Sequence, residues 1–228
     1  MLVALTRERG HNDELRQWLG ERAEAVEIPL TVTKYRPLRE VEEEIVALEG
    51  CGMFRSLVVT SARCEDYLST ARRALSADSD VFSVGPATSA ALQRMGLAAK
   101  VEGSGSSLDL CDDIVRGPVL VLAAEKGRRE LSDALSQRSL DVSRVECYRT
   151  REIELSHDEA QQLSLAQVVF IGAPSAWRVA STYVTPDAWV LVPGHTSLEA
   201  VRRDHARVLV GWGEDFNDAW RNIQAATS

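Results

Sequence analysis

Short, uninterrupted apolar runs recur along the chain, each followed by a polar or glycine-rich turn and then by apolar residues at helical spacing. Leu2 to Leu5, Ser56 to Ser61, Val81 to Val84, Val168 to Ile171, Trp189 to Val192 and Val208 to Val210 have the character of strands buried on both faces. Between them, Leu15, Trp18 and Leu19 predict a helix over Asp13 to Arg22, and Val41, Ile45 and Leu48 one over Leu38 to Leu48. Helical spacing resumes over Ala62 to Leu75, around Ala91, Leu92 and Met95 up to Gly96, and over Leu108 to Val115. It returns over Ala176 to Ser181 and Ser197 to Asp204. Ser156 followed by Glu159 has the spacing of a capping box and opens a further helix. Lys100-Val101 reads as a short strand, and Gly103 to Ser107 as a flexible loop. Ala25 to Thr33 reads as one strand, with Pro29 marking an edge or a strand end. Strands alternating with helices in this way predict an α/β protein with parallel sheets covered on both faces.

Two stretches follow one plan. Val119 to Thr150 reads as strand, turn, helix, strand, and so does Leu2 to Thr33. Glu8 and Gly10 answer Glu125 and Gly127, while Leu15, Leu19 and Val26 answer Leu131, Leu135 and Val142. The 228 residues can bury two cores of roughly a hundred residues each, and this internal similarity favours two related halves. Lys34 to Pro37 and Arg149 to Glu154 read as two crossings between them, expected to act as a hinge.

Composition narrows the function. A net charge of -8 and a pI near 5.1 argue against a general nucleic-acid binder, so an anionic ligand has to be held by local features. Cys51, Cys64, Cys111 and Cys147 lie far apart with no CxxC pair, which suggests neither a metal site nor a disulfide framework. Free thiols imply a reducing compartment, and no apolar run is long enough for a signal core or a bilayer span. A cytoplasmic protein is expected.

In parallel α/β sheets ligands bind at the carboxyl ends of the strands, and the informative turns sit there. Thr60-Ser61-Ala62, Gly85-Pro86-Ala87-Thr88, Ala173-Pro174-Ser175-Ala176 and Gly194-His195-Thr196 each open a helix with backbone donors and hydroxyls suited to a carboxylate or phosphate. Simple helix capping is the competing reading of each. Arg7 and Arg9 in one first turn, and Lys126, Arg128 and Arg129 around Gly127 in the other, give each half a basic rim or merely solvated loop charges. There is no GxxxxGK[ST], GxGxxG or GxSxG, and His11, His157, His195 and His205 are scattered, so nucleotide binding and hydrolase chemistry lack support. Tyr148 ends a strand beside a crossing. Its phenol either faces a cleft or sits at a domain edge with its hydroxyl in water.

Taken in order, LTRE near the start, VVTSA at Val58, SVGPATSAALQRMG at Ser83, GRRELSDAL at Gly127, VECYRT at Val145 and APSAW at Ala173 resemble the uroporphyrinogen-III synthase family over nearly the whole chain. The resemblance implies two flavodoxin-like domains joined by a flexible two-stranded linker, residues 1–33 with 152–228 and residues 35–148. It implies a cofactor-free, metal-free lyase, expected as a monomer without nucleic-acid or membrane partners. The reaction closes linear hydroxymethylbilane, with its eight carboxylates, into uroporphyrinogen III, losing water and inverting the last ring through a spiro intermediate. By the same matching the family's tyrosine, proposed to assist departure of the hydroxyl, falls on Tyr148. Substrate-binding turns fall on Ser61 and Ala62, Gly85 and Thr88, Ser175 and Ala176, and Gly194 and Thr196, beside Arg7, Arg9, Lys126 and Gly127. Gly172-Ala173 departs from the family's Thr-Ser pair and Arg63 from its common Asn, and Pro193-Gly194-His195 replaces its usual Gly-Pro. A noncatalytic tetrapyrrole-binding paralogue is the alternative those departures leave open.

Overall fold

The computed structural model describes residues 1–49, 53–103, 107–127, 129–211 and 215–227. In chain order it runs β1 (Leu2–Leu5), α1 (Asp13–Leu19), β2 (Glu24–Glu27), β3 (Thr31–Tyr35), α2 (Leu38–Glu49) and β4 (Phe54–Val59). A 3₁₀ turn (Ala62–Tyr67) leads into α3 (Leu68–Arg73), β5 (Leu75–Ser83), α4 (Pro86–Arg94) and β6 (Val101–Glu102). A second 3₁₀ turn (Ser107–Leu110) precedes β7 (Val119–Ala124), α5 (Glu130–Gln137) and β8 (Val142–Glu152). The chain ends with α6 (His157–Leu165), β9 (Val168–Phe170), α7 (Pro174–Ala180), β10 (Trp189–Val192), α8 (His195–Arg202), β11 (Val208–Val210) and α9 (Asp215–Thr227).

The single strand expected over Ala25 to Thr33 is two strands, broken at Pro29, because proline has no N–H to give a ladder. The first helix stops at Leu19 rather than Arg22, where Gly20 takes a φ of 45°. Ala62 to Leu75 divides into a 3₁₀ turn and a short helix, and Leu108 to Val115 forms only the 3₁₀ turn. Helix α9 was not foreseen, although Phe216, Ala219, Trp220 and Ile223 line its buried face. Cys51, Arg128 and most of the loop at Gly103 to Ser107 lie outside the described residues.

Two compact units emerge, Met1–Thr33 with Thr150–Ser228, and Lys34–Arg149. The first unit holds the sheet β2-β1-β9-β10-β11, all parallel. Numbered by order within the unit, this is the flavodoxin-like arrangement 2-1-3-4-5. Strands β1, β9, β10 and β11 are apolar throughout, while the edge strand β2 carries Glu24 and Glu27. Val3, Leu5, Val168 and Phe170 enter the core under α1 and α9, while Ala4, Val169, Ile171 and Val190 enter the one under α7 and α8. The capping box forms as the spacing predicts, with Ser156 Oγ accepting from the Glu159 N–H at 3.3 Å and Glu159 Oε2 accepting from the Ser156 N–H at 2.9 Å.

The second unit repeats this topology with the chain permuted. Its parallel strands run β8-β7-β4-β5-β6, so that β7, β8, β4, β5 and β6 take the places of β1, β2, β9, β10 and β11. The added strand β3 lies beside β8. Leu57, Val59, Leu120 and Leu122 point to one core, and Val58, Val119, Val121 and Ala123 to the other. The two matched βαβ stretches therefore occupy equivalent places in the two sheets. Leu15 and Leu19 on α1 are buried, as are Leu131 and Leu135 on α5.

Candidate active site

The direction of winding reverses between β1 and β9 in the first unit and between β7 and β4 in the second, so the carboxyl ends of these strands are the ligand positions physics favours. A threonine straps each reversal: Thr6 Oγ1 donates to the Phe170 carbonyl at 2.5 Å, and Thr60 Oγ1 to the Leu122 carbonyl at 3.0 Å.

In the second unit, β8 carries a bulge opposite Ala123 and Ala124, which pair with Glu146 and Tyr148. The extra residue breaks the alternation, so Cys147 and Tyr148 are both buried and both join one core. Tyr148 is 7% exposed, which overturns the reading of an edge tyrosine with its hydroxyl in water. Its phenol oxygen engages Ser61 and Arg63, and the Arg63 guanidinium lies 5.8 Å from the ring centroid. Burial pushes the phenol pKa up, outweighing the Ser61 hydrogen bond and the positive charge of Arg63, which pull it down. Tyr148 also lines an open cavity of about 410 Å³ with Lys34, Arg36, Glu125, Glu146 and Arg149. The Arg149–Glu125 pair there spans 3.6 Å.

Ser61 caps its 3₁₀ turn, accepting from the Arg63 N–H at 3.2 Å, with Ala62 half-buried beside it. Capping explains this serine but not the other three turns. Gly85, Ala173 and Gly194 stand at the N-caps of α4, α7 and α8, and none makes a side-chain cap bond. Thr88 is buried on α4, Ser175 and Ala176 open α7, and Thr196 is exposed on α8. Gly85 thus belongs to the second unit with Ser61 and Thr88, and Ser175, Ala176, Gly194 and Thr196 to the first.

The basic rims prove uneven. Arg129 pairs with Glu146 at 3.8 Å, Lys126 is exposed, and Gly127 is packed by Arg144, which donates to the Ala124 carbonyl and pairs with Glu146 at 2.5 Å. A Cβ at Gly127 would sit 3.0 Å from the Ala124 oxygen and 3.1 Å from Arg144 Nη2. In the first unit Arg9 is exposed, its charge helping to hold the Glu159 carboxyl low after the Ser156 hydrogen bonds, and Arg7 is half-buried. Arg144, and Arg63 as a partner of Tyr148, went unrecognised in the sequence. No linear signal joins them, because the bulge and the strand order make the contacts.

Among the described residues no cluster of three or more His, Cys, Asp or Glu could hold a metal, and no helix is long and apolar enough to cross a membrane. The family model described as uroporphyrinogen-III synthase HemD matches residues 14–207. A mutant uroporphyrinogen III synthase of Thermus thermophilus has a TM-score of 0.70 at 17% identity, over 100% of this chain and 98% of that one. The wild-type Thermus thermophilus enzyme in another crystal form gives 0.54 at 17% identity, over 99% and 96%. Helicobacter pylori uroporphyrinogen-III synthetase gives 0.64 at 14% identity, over 99% of both chains. No curated protein sequence matches the chain. The solved structures share the fold, and the family match spans most of the sequence: this chain belongs to the uroporphyrinogen-III synthase family.

Proposed function

We propose that this chain is a uroporphyrinogen-III synthase, closing hydroxymethylbilane into uroporphyrinogen III with loss of water and inversion of the last ring, as a cytoplasmic, cofactor-free lyase. The observation that carries the residue-level reading is the setting of Tyr148. The Arg63 N–H donates to Ser61 Oγ, which directs the serine proton toward the phenol oxygen. With Ser61 and Arg63 donating to that oxygen, the phenol's own proton is left for an acceptor outside the protein.

That acceptor is the hydroxyl leaving the bilane. The C–O bond breaks, the hydroxyl departs as water with proton help from Tyr148, and the adjacent pyrrole nitrogen supplies the electron pair that stabilises the resulting cation. Ring closure later releases a proton, which restores the phenol. A phenol is protonated at neutral pH at its ordinary pKa, and burial pushes the value further up, so the group is present as a donor. Arg63 stabilises negative charge as it develops on the phenol oxygen. The groups suited to substrate carboxylates are the turns at Ser61, Ala62, Gly85, Thr88, Lys126 and Gly127 within the second unit and, within the first unit, those at Arg7, Arg9, Ser175, Ala176, Gly194 and Thr196.

A coupled assay tests this, generating hydroxymethylbilane in place and separating the product isomers. The type III isomer is expected well above the spontaneous rate. Type I alone, at that rate, would sink the enzyme and leave a tetrapyrrole-binding protein.

A further inference from the structure

The Gly172-Ala173 turn carries no side-chain hydroxyl, and the Arg7 side chain packs against it. A Cβ built on Gly172 would lie 3.1 Å from Arg7 Cγ, 3.7 Å from Cδ and 3.9 Å from Nε. The backbone does not require glycine, since Gly172 is not among the positive-φ residues. Space requires it. The stem of Arg7 crosses from the end of β1 over the end of β9, strands already locked in register by Leu5 opposite Phe170.

The second unit makes the opposite choice. Thr60 stands at the place of Gly172, one residue before the N-cap, and Ala124 answers Arg7 at the end of the neighbouring strand. There the Thr60 hydroxyl is spent on the Leu122 carbonyl at 3.0 Å. We propose that Gly172 is the positioning residue for Arg7, its missing side chain leaving room for the Arg7 stem, and that the guanidinium so placed forms a substrate-carboxylate subsite at the end of β1. A guanidinium suits that ligand, because its forked donors match a carboxylate geometrically. The inference rests on the synthase reading for the identity of the substrate.

The test is a double-mutant cycle in the full chain with Gly172→Ala, Arg7→Gln and both together. Steady-state kinetics use hydroxymethylbilane generated in place, and equilibrium titration uses uroporphyrin III, which carries the same carboxylates. Each single change is expected to raise KM and the uroporphyrin Kd about tenfold, the scale of one hydrogen bond to a charged group, with kcat within about twofold. The double variant should be no weaker than Arg7→Gln, because Gly172→Ala acts only by displacing that side chain. Thermal melts confirm folding. Should Gly172→Ala fail to fold, Arg7→Gln and Arg7→Lys carry the test, with Arg7→Lys expected to recover only part of the affinity because lysine lacks the fork. A wild-type KM and Kd in folded Arg7→Gln would then overturn the proposal. Additive losses, a wild-type KM and Kd in a folded Gly172 variant, or no uroporphyrin binding by the wild type would overturn the proposal. Failure of the synthase reading shows separately, as absence of type III isomer while the binding cycle still reports coupling.

Discussion

The two winding reversals have the same topology and each has a threonine strap, thrown from β1 to β9 in the first unit and in the opposite sense, from β4 to β7, in the second, and the protein finishes them differently. At the second, the turn after β7 is plugged by the protein's own cation: Arg144 is tied to the Ala124 carbonyl and to Glu146, and its side chain is only 10% exposed. At the first, the turn after β1 is longer. Gly10 turns it with a φ of 80°, Asn12 Nδ2 holds the Arg7 carbonyl at 3.1 Å, and the Arg7 side chain lies over Gly172. A duplicated βαβ plan thus keeps its core leucines and redistributes its polar work. In our reading the second unit supplies the proton donor, and the first supplies an adjustable anion site. Positions that correspond in a repeat share a backbone, and need not share a job.

The largest effect expected from that contrast is on stability. Arg144→Met should cost about 2–3 kcal/mol, since it removes charge-assisted hydrogen bonds from a largely buried group. The loss should appear as a lower denaturation midpoint, and a wild-type midpoint would mean that the plug is not structural. Next comes Tyr148→Phe, expected to slow kcat by up to about a hundredfold, the lower end of general-acid help, with little change in KM. Turnover at the wild-type rate in the folded variant would leave the backbone donors as the whole apparatus.

Smaller effects separate binding from chemistry. Thr88→Ala or Ser175→Ala should each raise KM only a few-fold, because one neutral hydrogen bond contributes about 0.5–1.5 kcal/mol. Complete inactivation of either folded variant would contradict a shared, distributed site. The smallest expected signal is in alkaline pH. The folded pKa of Tyr148 is raised above its ordinary 10.0, so its contribution to stability is present below about pH 10 and is lost as pH rises through the folded value. Tyr148→Phe should flatten part of that alkaline decline in a pH series of melting curves; an unchanged slope would show that the phenol is not held protonated by the fold. Tyr67, pushed up to about 12 chiefly by burial, contributes in the same direction and remains in the variant.

Much of this protein was legible in one dimension. Uninterrupted apolar runs specified strands buried on both faces, helical spacing placed most helices between them, and Ser156 with Glu159 announced a cap that forms as read. These features are local or periodic, so the linear order carries them. The matching of Leu15 and Leu19 to Leu131 and Leu135 likewise disclosed the repeated βαβ plan, because both pairs face the same kind of core. Tertiary structure alone decided the rest. Pro29 could be read as a strand end, but not that the strand before it and the strand after it join different sheets. The bulge that turns Tyr148 inward, the approach of Arg63 to its ring, and the passage of Arg7 over Gly172 arise where strand order brings distant residues together. Side-chain periodicity reports which face of its own element a residue occupies; it holds no information about the neighbour that the sheet will supply.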